Sequence, residues 1–154
     1  MPHINDKVDF TVEVFIVYNN KVLLRKHDKY KIWLGVGGHI ELDEDPNQAA
    51  VREVKEEVDL DIILFDKNTP AFNIKDYKEL ISPRFLNRHR INPAHEHIAL
   101  TYFARSSSDK IKQSQDEQSE ECKWFTKEEL DDNSYNLRDN IKFYAKKALE
   151  ELAD

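Results

Sequence analysis

GHIELDEDPNQAAVREVKEEVDL, from Gly38 to Leu60, is the stretch whose reading decides the fold. Asp45 can cap a helix, Pro46 suits its first position, and Gln48 lies three residues after the cap. The spacing predicts a helix from about Pro46 to Val58. With Val54 set at 0°, Ala50, Val51 and Val58 fall between about −40° and +60° and form the expected buried stripe. Glu57, Glu53 and Glu56 fall at about −60°, −100° and −160°, sharing one arc beside that stripe. Ala49 occupies the same arc one turn earlier.

The charge here is concentrated. Residues 41–61 hold nine carboxylates, opposed only by Arg52 and Lys55. Like charges at i,i+3 and i,i+4, such as Glu53–Glu56 and Glu53–Glu57, cost a helix about 0.2–0.5 kcal/mol per pair. A cation between them reverses that sign, and hard divalent ions such as Mg²⁺ favour carboxylate oxygen. A solvated acidic face is the plainer alternative for the helix taken alone.

Just upstream lie the only three glycines of the chain, Gly35, Gly37 and Gly38. Average usage predicts about eleven in 154 residues. Glycine permits positive φ and close approach to the main chain, so this spot needs unusual backbone, as a tight turn or a ligand contact.

Farther out, residues 8–18 alternate. Val8, Phe10, Val12, Val14, Ile16 and Tyr18 point one way and Asp9, Thr11 and Glu13 the other, as in a half-buried strand. Asn19-Asn20 suits a hairpin turn into a strand at Val22–Leu24. Short strands are expected at Ile32–Leu34, Ile62–Phe65 and Lys123–Phe125, with a firmer one at Ile98–Ala104. Residues 66–95 read as a long irregular stretch and 105–119 as a polar loop. Thr126 and Glu129 form a second capping box. Leu137, Ile141, Ala145, Ala148 and Leu152 mark an amphipathic C-terminal helix. The fold class is α/β, with a mixed sheet covered by helices in one domain over 1–154.

Composition excludes other classes. A formal charge of −7 and a pI near 5.4 argue against gripping a nucleic-acid polymer through bulk charge. No apolar run is long enough to span a membrane, and the N-terminus lacks signal-peptide features. A lone cysteine, Cys122, fits a reducing compartment, so a cytoplasmic protein is expected.

The stretch 38–60 resembles the Nudix box, G-x5-E-x7-R-E-U-x-E-E-x-G-U with U apolar. Every fixed position matches except Asp59, which stands where the family has glycine. The resemblance, extending over residues 8–150, implies a Nudix-type α/β/α sandwich with a central mixed β-sheet. It also implies a hydrolase that cleaves a nucleoside diphosphate linked to another group, with Mg²⁺ or Mn²⁺ as cofactor. Glu53, Glu56 and Glu57 would then hold metal, with the Gly38 backbone among the contacts. Glu44 would support the metal's water shell and Arg52 would orient the glutamates. Gly37 and Gly38 would lie against metal and phosphate. The general base would be Glu53 or an acid from the polar loop, Glu117, Glu120 or Glu121. Homodimerisation is frequent in the family. A nucleotide-sensing module and a prenyl-diphosphate isomerase are the alternatives on this fold.

Several features stay open. Arg84, Arg88, His89 and Arg90 form a basic cluster, read either as an arm over the substrate or as a solvated loop. Tyr77 sits 18 residues after Asp59, near where family members acting on dinucleoside polyphosphates carry a tyrosine. His95 and His97 would share one strand face, but the sequence offers no evident third ligand.

Overall fold

The capping residues set the central helix as expected. In a computed structural model that describes residues 3–68, 72–113 and 121–153, helix α1 runs Pro46–Val58. Asp45 accepts from the Gln48 amide and Gln48 reaches back to the Asp45 amide. Asp59 ends the helix in the left-handed region (φ 55°, ψ 40°), and its N–H donates to Lys55 O. Aspartate thus adopts the geometry that glycine would supply.

The strands are β1 Val8–Tyr18, β2 Lys21–Lys26, β3 Trp33–Leu34, β4 Val36–His39, β5 Ile62–Leu64, β6 Asn73–Ile74, β7 Tyr77–Lys78, β8 Phe85–Asn92, β9 His95–Ser106 and β10 Glu121–Phe125. Helix α2 spans Lys127–Leu130, capped by Thr126 with Glu129, and α3 spans Asp139–Glu151. The β1–β2 turn uses Asn19 and Asn20 at φ 49° and 61°, as a two-residue hairpin requires.

The main sheet runs β10-β2-β1-β9-β5, with β3 beside β2, β4 beside β1 and β8 beside β9. It is mixed: β1 and β9 are parallel, from Val8↔Glu96 to Val17↔Arg105, and the other pairs are antiparallel. Helix α1 covers one face over Val12, Val14, Ile16 and Tyr102. Helices α2 and α3 cover the other over Phe15, Val17, Phe103 and Phe125. The result is the helix–sheet–helix arrangement expected. Asn47 anchors the start of α1, its side-chain amide bonding both Ile81 N and Ile81 O.

Four expectations need correction. Strand β1 is not half-buried: Phe15 and Val17 are as enclosed as Val14 and Ile16, while Phe10 is 50% exposed. A central strand covered on both faces loses the polar side that alternation suggests. On α1, Val51 is exposed, and the buried stripe includes Ala49, Glu53 and Glu57. The three glycines all have negative φ, so close approach rather than left-handed backbone demands them. Residues 85–92 form a strand rather than an irregular stretch; its polar outer face hid the alternation, and pairing with β9 supplies its order.

Candidate carboxylate site on α1 and β4

Helical spacing puts Glu53 and Glu57 one turn apart, facing β4. Glu53 is fully enclosed and Glu57 nearly so, whereas Glu56 stays 45% exposed. Close approach of β4 makes this packing possible. A Cβ at Gly38 would lie 2.5 Å from Glu53 Oε1, and one at Gly37 would overlap the carbonyl oxygen of Val12. No side chain larger than hydrogen fits either place. The Gly37 amide donates to Glu57 Oε2 at 3.3 Å.

Arg52 organises the acids. Its Nε and Nη2 donate to the two Glu44 oxygens at 2.9 and 2.6 Å, a bidentate pair. Its Nη1 donates to Glu53 Oε1 and Glu56 Oε2, both at 3.1 Å, and Nη2 also donates to His39 O at 3.0 Å. All five guanidinium N–H groups are thereby engaged. The bond to Arg52 holds the Glu44 carboxyl below the usual carboxylate range, and the Arg52 guanidinium is raised in turn.

Two residues enter that the sequence alone did not single out. Arg25 on β2 pairs with Glu57 Oε2 at 3.1 Å. Glu13 on β1, opposite Gly37 in register, accepts from the Gly35 amide at 3.2 Å. Burial pushes its carboxyl up to about 7, against the lowering effects of that amide and of Arg25. An acid and an arginine within otherwise apolar strands were the signals available.

Five carboxylates (Glu41, Glu44, Glu53, Glu56 and Glu57) thus face two guanidiniums, Arg25 and Arg52. The excess is anionic and made of oxygen, the donor set suited to Mg²⁺ or Mn²⁺. The residues present therefore fit a hard divalent ion.

The other candidates are placed elsewhere or paired off. Arg84 is tied to Glu151 on α3 at 2.7 Å, on the opposite face of the sheet, and lies over the Phe85 and Phe103 rings. Arg88 pairs with Glu96, and Arg90 donates to Pro93 O. Tyr77 is exposed in the small β6–β7 hairpin, edge-on to Phe72. None of these contacts joins the carboxylates. Glu121 opens β10, opposite Lys26, while Glu117 and Glu120 lie outside the described residues. Cys122 packs against the α1-side core. No helix among the described residues is long and apolar enough to cross a membrane.

Comparison with known proteins adds to this geometry. A family model described as the NUDIX domain matches residues 9–147. A crystal structure of a NUDIX-family hydrolase from Clostridium perfringens superposes with a TM-score of 0.82 at 36% identity, over 94% of this chain and 97% of that one. A MutT NUDIX hydrolase from Burkholderia pseudomallei gives 0.64 at 18% identity, covering 96% and 100%, a likeness of fold alone. Among curated proteins, the dihydroneopterin triphosphate diphosphatase of Haemophilus influenzae is 36% identical over 78 residues, 50% of this chain. The chain matches about half the length of that relative, 48%.

Proposed function

The chain belongs to the NUDIX family, and from that premise we propose that it is a divalent-metal-dependent pyrophosphohydrolase, in one catalytic domain, acting on a nucleotide derivative. The observation that carries the reading is the anionic cluster in which Glu53 and Glu57 are buried against Gly38 and Gly37. A pyrophosphate cannot approach such a cluster without cations. Glu53, Glu56 and Glu57 are the residues that would hold Mg²⁺ or Mn²⁺, with the Gly38 backbone beside them. When bound, such an ion neutralises phosphate charge and lowers the pKa of water.

The chain's own groups do the positioning. Arg52 orders Glu44, Glu53 and Glu56 through one planar fork, so that their oxygens keep a fixed spacing. Arg25 and the Gly37 amide fix the same oxygen of Glu57. Glu53, or one of Glu117, Glu120 and Glu121, takes the proton from the attacking water. The bond broken is a P–O bond of the anhydride, and water supplies the new oxygen. Two copies of the chain form the proposed assembly, in a cytoplasmic setting.

The partial relative named for dihydroneopterin triphosphate puts that compound beside nucleoside triphosphates, dinucleoside polyphosphates, ADP-ribose and nucleotide sugars as a test substrate. A phosphate- and pyrophosphate-release screen over these, with Mg²⁺ and with Mn²⁺, should identify at least one turned over by the native chain and not by Glu57→Gln. Equal turnover by that variant, or tight binding with no product from any compound, overturns the reading.

A further inference from the structure

Five of the six histidines meet on the sheet face opposite α1, and a buried aspartate lies at their centre. Strand alternation places them there: Gly38 faces α1, so His39 faces away, and His95 and His97 share the side of Phe103, which packs under α3. Asp9 is 1% exposed and is held by the amides of Asn5 (2.7 Å to Oδ1) and Ile4 (3.1 Å to Oδ2).

Three imidazole nitrogens converge on one oxygen of that carboxylate. His39 Nε2 lies 3.1 Å from Asp9 Oδ2, and His95 Nε2 and His3 Nδ1 each lie 3.3 Å away. His95 Nδ1 stands 3.0 Å from Asp6 O. A carbonyl only accepts, so Nδ1 carries a proton there and the ring is held with its Nε2 towards Asp9. The Nε2 atoms of His95 and His97 are buried and make no hydrogen bond among the described residues. Ligand atoms of His3, Asp9, His95 and His97 all lie within 4.8 Å of one another. A tetrahedral ion with ligands at about 2.0–2.1 Å needs them about 3.3–3.4 Å apart, close to the spacing already present around Asp9 Oδ2.

We propose that His3, Asp9, His95 and His97 form a second metal site, for a borderline transition ion of the Zn²⁺ class, separate from the carboxylates on α1. Three imidazoles and one carboxylate suit Zn²⁺ and its neighbours, whereas Mg²⁺ prefers oxygen throughout. The Asp6 carbonyl on His95 Nδ1 is the kind of outer contact that orients a ligating ring, and His39 stands against the same carboxylate. An ion here ties the segment His3–Asp6 to strands β1 and β9. The site does not depend on the proposed hydrolysis.

The test is a Zn²⁺ titration of the full chain, stripped with chelator, against a chromophoric competitor in millimolar Mg²⁺, together with the visible spectrum of the Co²⁺ form. The native chain should bind one ion and give the intense bands of tetrahedral cobalt. Glu57→Gln should bind as tightly as the native chain. His3→Ala and His97→Ala should each weaken binding at least tenfold, a loss comparable to that from removing a metal's outer partners. His3 is 39% exposed at its side chain, so its variant leaves the core intact and keeps the test valid if His97→Ala fails to fold. Zn²⁺ affinity unchanged in His3→Ala, affinity lost in Glu57→Gln, or an octahedral cobalt spectrum would each overturn the site.

Discussion

On the α1 side of β4 the converging atoms are carboxylate oxygens; one residue later, on the other side, they are imidazole nitrogens. The first set comes largely from one contiguous stretch and is braced by arginines. The second is gathered from the N-terminal segment, β1, β4 and β9, around a single aspartate. The difference teaches how donor type would sort cations across one sheet: oxygen suits the hard ions that accompany phosphates, and nitrogen suits ions of the zinc class. A strand one residue thick keeps the two apart, because successive side chains leave it in opposite directions.

That division can be broken experimentally. The largest effect is expected from Glu57→Gln, which should lower hydrolysis more than about 100-fold while Zn²⁺ affinity stays as it was. Joint loss of both, read by turnover and by competitive titration, would mean the two faces are one site. Gly37→Ala tests the packing instead. Its methyl would meet the Val12 carbonyl, which is backbone and cannot swing aside. A loss of about 1–3 kcal/mol or more is expected in chemical denaturation, where His3→Ala in chelator should show almost none.

Glu13 gives a pH signature to β1, on the side it shares with Phe15 and Val17. Its folded value of about 7 lies above the ordinary 4.5, so the fold favours the protonated form. The resulting contribution is complete below pH 4.5 and disappears as pH climbs through 7. In chelator, Glu13→Gln should therefore match the native chain at pH 4 and exceed it at pH 8 by about 3 kcal/mol. A gap that does not widen with pH would show that Glu13 is solvated. The smallest effect belongs to Asp59→Gly. The left-handed cap should gain up to about 1 kcal/mol, seen as a higher melting temperature, with turnover unaltered.

The carboxylate side was legible because its information is local. Capping by Asp45 and Gln48, the stop at Asp59 and the bonds from Arg52 to its acids depend on residues within one helix and the loop before it. The hairpin at Asn19-Asn20 was readable for the same reason. What escaped depends on partners distant in sequence. Arg25 reaches Glu57 only once β2 is laid beside the helix, and His95 finds Asp9 only through the parallel pairing of β1 with β9. The strand at 85–92 was missed because Arg88 and Arg90 are polar on a face that solvent keeps. Of the two reasons offered for the glycines, close approach holds and left-handed backbone does not: Gly35 and Gly37 are crowded by β1 and Gly38 by Glu53 of α1.

Arg52 has one further consequence. With every N–H of its guanidinium committed to neighbours, it has nothing left to offer an incoming anion. A polypeptide of net charge −7 then meets a polyphosphate as an electrostatic barrier. In the proposed hydrolase, admission of such a guest would therefore rest on bound divalent ions rather than on Arg52.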